Sequence, residues 1–157
     1  MRLTTKHSNL LLAALSAALA LGWSLREAEF ARAAGKRLPN TTLNLSDVKV
    51  TPADYEGKPT GKAAVYFDGE SASLKNLQVG RFLLNAGSEP HPPHRHVDEE
   101  LLIVSQGTGE MYTNGKTYPI KPGAIMYCDP NVEHGIKNTG KQPLEFFWVK
   151  YVPRDAK

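Results

Sequence analysis

Four of the five histidines in this 157-residue chain, His91, His94, His96 and His134, fall within one stretch of 44 residues. His94 and His96 are two residues apart, so on a strand both imidazoles leave the same face and can converge on one point. Glu100 has the same parity, although a turn could fall between it and His96. His134 comes from a separate element about forty residues later, the way a barrel interior gathers side chains that are distant in sequence. Three neutral imidazoles and a carboxylate form a borderline donor set that suits one divalent transition-metal ion: zinc, iron, manganese, nickel or cobalt. Taken singly, each residue has a plainer reading. A lone His-x-His is common as a surface pair, Glu100 suits a solvated strand position, and His134, after Pro130-Asn131-Val132-Glu133, suits a loop beside a turn. The combination is what carries information.

Elements able to position these residues must be short. Glycine and proline together supply 24 residues, all but one of them after residue 34, which favours turns over long helices. From Lys62 onward, β-branched, aromatic and leucine-rich stretches alternate with turn clusters. Strands are expected at 63–67, 74–85, 101–104, 109–113, 117–120, 125–128, 135–138 and 144–151. Asn114-Gly115 between two of them is the dipeptide preferred by type I′ turns and marks a hairpin. The 38–61 stretch, with Pro39, Pro52, Gly57, Pro59 and Gly61, reads as an N-terminal arm with at most one strand near Val48–Val50. The fold class is all-β, an antiparallel sandwich or barrel.

The residues around the histidines resemble a small single-domain cupin. That family's first motif has a glycine, His-x-His, a glutamate and a further glycine, matched here by Gly87, His94, His96, Glu100 and Gly107. Its second has a glycine, a proline-glycine turn, a histidine and an asparagine, matched by Gly123, His134 and Asn138. There are two departures: six residues rather than five separate Gly87 from His94, and Asn131 stands where the turn glycine is usual. Asparagine tolerates the left-handed conformation that such a turn needs. The resemblance implies a double-stranded β-helix, or jelly-roll barrel, over residues 62–152, with His94, His96, Glu100 and His134 as metal ligands. It also implies a homodimer joined through strand edges, for which 63–67 and 144–151 are apolar enough.

Four protein ligands on an octahedral ion would leave two positions for water, dioxygen or a bidentate substrate, a catalytic rather than a closed structural arrangement. The expectation is a metal-dependent enzyme, of oxygenase, decarboxylase or isomerase type, acting on a small polar or carboxylated molecule. The alternative is a non-catalytic module that binds a metal or small ligand. Tyr112, Tyr127 and Cys128 are weak candidates for catalytic groups, and because Tyr127 and Cys128 alternate along a strand only one can point inward. Asp98 and Glu99 read as solvated, His91 as a rim residue stiffened by its neighbouring prolines, and Arg95 as facing away from the ligands.

The front of the chain has a different character. Arg2 and Lys6 precede a run of aliphatic and alanine residues with one serine at 10–21, and an Ala-x-Ala site ends at Ala33. Residues 1–33 are therefore expected to be a helical secretory signal, followed by the 34–61 arm, the 62–152 barrel and a 153–157 tail. The product would be exported, periplasmic or secreted; retention of residues 10–25 as a membrane anchor is the alternative. The signal holds four basic and two acidic residues, so its removal lowers the net charge from +3 to +1. A nucleic-acid partner then loses its electrostatic support. The lone Cys128 allows no internal disulfide.

Overall fold

The computed structural model describes residues 37–155. The expected signal segment, 1–33, lies outside the described residues. After a short 3-10 turn at Leu45–Asp47 come nine strands: β1 (Val50–Tyr55), β2 (Lys58–Gly69), β3 (Leu74–Leu84), β4 (Glu99–Gln106), β5 (Gly109–Thr113), β6 (Lys116–Ile120), β7 (Ile125–Cys128), β8 (His134–Lys137) and β9 (Leu144–Pro153). They form a six-stranded sheet in the order β1-β2-β3-β9-β4-β7 and a three-stranded sheet in the order β6-β5-β8. Every strand pair in the two sheets is antiparallel.

Alternation decides which side chains meet between the sheets. Along β4, Glu100, Leu102 and Val104 are buried while their neighbours are partly exposed; along β7, Met126 and Cys128 are buried while Ile125 and Tyr127 face out. The apolar core unites Phe82, Leu84, Leu102, Val104, Met111 and Leu144, among others. Each large side chain so buried contributes about 1.5–3 kcal/mol relative to exposure. Phe82 and Phe146, register partners on β3 and β9, stack with ring centroids 5.6 Å apart.

Local chemistry sets the turns. Asn114 and Gly115 both take positive φ, 47° and 80°, and close the two-residue hairpin between Thr113 and Lys116. Asn131 has φ 61°, so asparagine does adopt the left-handed turn conformation at this position.

The structure departs from expectation in three places. The 38–61 stretch carries β1 and the first residues of β2, hydrogen-bonded around a turn in which Glu56 and Gly57 have positive φ. Pro52 fits because β1 is an edge strand, where a missing N–H costs no ladder bond on the open side. The 63–67 and 144–151 stretches lie in β2 and β9, each paired on both sides, so neither offers a free edge; the open edges of the large sheet are β1 and β7. Finally, His94 and His96 do not sit in a regular strand. They occupy the loop before β4, and a single bridge pairs His94 with His134.

Candidate metal centre

The bridge brings the two histidine-bearing segments together. The His94 N–H donates to the His134 carbonyl and the His134 N–H to the His94 carbonyl, both at 3.0 Å. A second tie lies alongside, where Asn131 N–H donates to the His96 carbonyl at 2.7 Å. Arg95, between the two loop histidines, turns away as expected, and its guanidinium donates to the Asn131 carbonyl at 3.0 Å. Glu100, the second residue of β4, shares the inward face of Leu102 and Val104.

Three imidazoles thereby converge. The ring centroids are 4.8 Å apart for His94 and His134, 4.8 Å for His96 and His134, and 5.1 Å for His94 and His96. One nitrogen from each lies within 4.8 Å of the others. Glu100 joins them through one carboxylate oxygen, 3.1 Å from His96 Nε2 and 2.6 Å from His134 Nε2. The second contact is close in distance but poorly aligned, so the buried His134 Nε2 has no proper hydrogen-bond partner, and neither has His94 Nδ1. Buried polar atoms left unpaired are costly and uncommon, and two of them on the rings of one histidine cluster fit a cation.

The outer nitrogens are already engaged. His134 Nδ1 lies 2.8 Å from the Val132 carbonyl oxygen, and His96 Nδ1 lies 3.1 Å from the Asp98 carbonyl oxygen and 3.5 Å from the Asp98 carboxylate. Protons held on Nδ1 by these contacts leave Nε2 of both rings as the electron-pair donor. Asp98, expected to be solvated, is instead 4% exposed. It also accepts from the Asn76 amide at 3.4 Å. Glu99 is likewise not free, since the hydroxyls of Tyr127 and Tyr151 both donate to its carboxylate.

Electrostatics follow from this packing. Burial, followed by the neighbouring His91, His134 and His96, lowers the His94 pKa to about 4. Burial works to raise Glu100, but its close contacts with the His134 and His96 rings outweigh it and hold the carboxyl at about 2. Burial also opposes a charged His134, yet the Glu100 carboxylate and the Val132 carbonyl lift its pKa above the ordinary 6.5. His94 is therefore poised as a neutral donor at neutral pH, Glu100 as an anion.

Beside this cluster opens a cavity of about 250 Å³. Its wall includes His94, Glu100 and His134, with His91 and Pro90 from the loop before β4, and Phe82, Phe146, Trp148 and Lys150 from the large sheet. His91 packs edge-on against His94, their centroids 4.2 Å apart. The Trp148 indole lies over Gly80, where a Cβ would come within 2.0 Å of the ring, and its N–H donates to the Gln78 side-chain oxygen at 3.1 Å. The suggested catalytic groups are not in this wall. Tyr127 is 50% exposed and points outward; Tyr112 donates from the outer side of β5 to Glu133 at 2.7 Å. Cys128 does point inward, but its sulfur meets the Thr113 hydroxyl at 2.9 Å, away from the cavity, and burial pushes its thiol pKa up.

Sequence reasoning overlooked Lys150, Gln78 and Thr60 in the cavity wall. A signal existed for Lys150: it continues the every-second-residue series Leu144, Phe146, Trp148 along β9, so a cation stands on the inward face of an apolar strand.

Comparison with known proteins agrees with this geometry. Residues 80–150 match the family model described as "Cupin domain". The oxalate-binding protein of Thermotoga maritima is 40% identical over 114 residues, spanning 69% of this chain and 93% of that one. Auxin-binding protein 1 of Arabidopsis thaliana is 29% identical over 111 residues, which span 65% of this chain and about half (54%) of that protein. Among solved structures, a Thermotoga maritima protein described as a predicted oxalate decarboxylase superposes with a TM-score of 0.55 at 25% identity, covering 71% of this chain and 99% of its own. With its jelly-roll sheets and its cluster of three histidines able to hold a metal, the chain belongs to the cupin family.

Proposed function

We propose that the protein binds one divalent transition-metal ion through His94, His96, Glu100 and His134, and that this ion holds a small carboxylated anion in the adjoining cavity. The observation that carries the reading is the convergence of three histidine nitrogens within 4.8 Å, two of the site's buried ring nitrogens having no hydrogen-bond partner. A metal bound there would supply Lewis acidity toward a carboxylate oxygen. The chain's own contribution is to hold the imidazole tautomers through Val132 and Asp98 and to keep apolar walls around the anion. The oxalate-binding relative supports a small dicarboxylate as the ligand class. Metal analysis of the protein from its native compartment, followed by calorimetric titration with oxalate, tests the reading; one ion per chain and saturable binding are expected, and absence of both overturns it.

A catalytic reading is favoured by His91, whose ring lines the cavity and packs against His94, where an imidazole could exchange protons with a bound molecule. Turnover of the titrated carboxylate, followed by release of carbon dioxide or consumption of dioxygen, separates an enzyme from a binding module. The basic start and apolar run support export of the mature chain, and N-terminal sequencing from Ala34 is the expected result; an intact Met1 in the membrane fraction points to an anchor instead.

A further inference from the structure

We propose that Lys150 is the anion-recognising residue of the cavity and that it selects dianionic dicarboxylates over monoanions. The inference rests on the metal-carboxylate reading above and adds to it which side chain meets the end of the ligand that the metal does not. Lys150 stands directly opposite Glu100 across the β4–β9 pairing and opposite Gln78 across the β3–β9 pairing. Both of those residues and Lys150 line the cavity. Among the described residues, the titratable groups of the wall are Asp54, His91, His94, Glu100, His134 and Lys150, so Lys150 is the only permanently cationic side chain among them. It forms no ion pair among the described residues, whereas Arg81, Arg95 and Arg154 each find a carboxylate within 4.0 Å. Asp54, the wall's other carboxylate, is exposed, and its oxygen accepts from the Gly57 N–H at 3.3 Å in the β1–β2 turn.

Charge balance then points to the ligand. With the exposed Asp54 left to bulk water, a divalent ion offset by the Glu100 carboxylate would, together with Lys150, leave two positive charges facing a partly enclosed space. A dicarboxylate dianion neutralises them and a monoanion does not, and unbalanced charge away from bulk water is costly. Two further features suit a polar guest. The Thr60 hydroxyl is buried, lines the same cavity and has no hydrogen-bond partner. The Gln78 amide has its oxygen committed to Trp148, which leaves its NH₂ as a donor.

The test uses the full chain loaded with manganese and titrated calorimetrically with oxalate and with glycolate, a chelating monoanion of similar size. Metal content is measured on every sample. Hydrogen bonds to a charged group amount to about a ten- to hundredfold change in affinity. The unaltered protein should therefore prefer oxalate, Lys150→Met should lose oxalate affinity by that factor with little change for glycolate, and Lys150→Arg should restore much of the preference. All three should hold the same metal. Equal oxalate affinity in Lys150→Met and the unaltered protein overturns the role of Lys150 while leaving the metal-carboxylate reading intact. Loss of metal from both Lys150→Met and Lys150→Gln overturns it as well, since the residue would then serve the ligand Glu100. Binding of neither anion by the metal-loaded unaltered protein overturns both proposals together.

Discussion

The barrel buries two polar clusters at opposite ends of the same strands, and they are finished differently. At one end, Asn138 is 0% exposed, and its side-chain amide and its own N–H are all paired. Its amide donates to the Leu84 and Gln142 carbonyls at 3.1 and 2.9 Å, its side-chain oxygen accepts from Gly140 N–H at 2.9 Å, and its own N–H donates to the Ser88 carbonyl at 2.9 Å. At the other end, His94 and His134 each leave a buried nitrogen without a partner. The strands between them grade from one to the other: Lys150, Trp148, Phe146 and Leu144 on β9, and Glu100, Leu102 and Val104 on β4. A satisfied cluster staples loops to the core; an unsatisfied one suits a ligand. Stability and function are therefore separable along the barrel.

The sharpest break of that comparison is the His96→Ala, Glu100→Ala double variant, which should fall from about one metal ion per chain to none by elemental analysis while remaining folded by circular dichroism. Stoichiometric metal in this variant would sink the ligand assignment. Next in size, Asn138→Ala strands the buried Leu84 carbonyl, the Gln142 carbonyl and the Gly140 N–H, and should cost about 2–4 kcal/mol in denaturant unfolding while metal content per folded chain is unchanged. Chelation of the unaltered protein removes an ion that, at a hundredfold excess over its dissociation constant, contributes about 2.7 kcal/mol. The melting temperature should drop by several degrees, and the same melting temperature with and without metal would mark a purely structural barrel.

Acidity sharpens the contrast in the metal-free chain. The folded state favours neutral His94 with a pKa of about 4 against the ordinary 6.5, so that contribution is full above pH 6.5 and is lost as pH falls toward 4. Glu100, held at about 2 against 4.5, adds a further loss as pH falls from 4.5 toward 2. His134 has the opposite sign: its raised pKa gives stability present below 6.5 and lost as pH climbs through the folded value. Because a metal must displace the His134 proton, affinity should increase as pH rises past 6.5, seen as proton release in calorimetry across buffers of different ionisation enthalpy. The smallest effect belongs to Tyr127→Phe, expected to leave metal content unaltered and stability within about 0.5 kcal/mol, as for other exposed positions.

Much of this was legible in the sequence, and the gaps have physical causes. Asn114-Gly115 fixes its hairpin locally, and Asn131 can be read as a left-handed turn because few other residues tolerate one. Strand β1 escaped because Pro52, Asp54, Gly57 and Pro59 all speak for turns; pairing with β2 at an open edge outweighs that preference. Asp98 looked like one more acid in a charged run, and only the fold shows that it backs His96. Which of Tyr127 and Cys128 faces inward depends on register with β4, where Cys128 stands opposite Glu100 and Tyr127 opposite Leu101. No local signal sets that register.

The reciprocal backbone bonds between His94 and His134 also order events in time. They join residues forty positions apart, and closing so long a loop is entropically unfavourable until the intervening strands β4 to β7 have found their partners. The two halves of the histidine cluster meet late, when most of the barrel already exists. A metal taken up by this cluster would thus report completed folding.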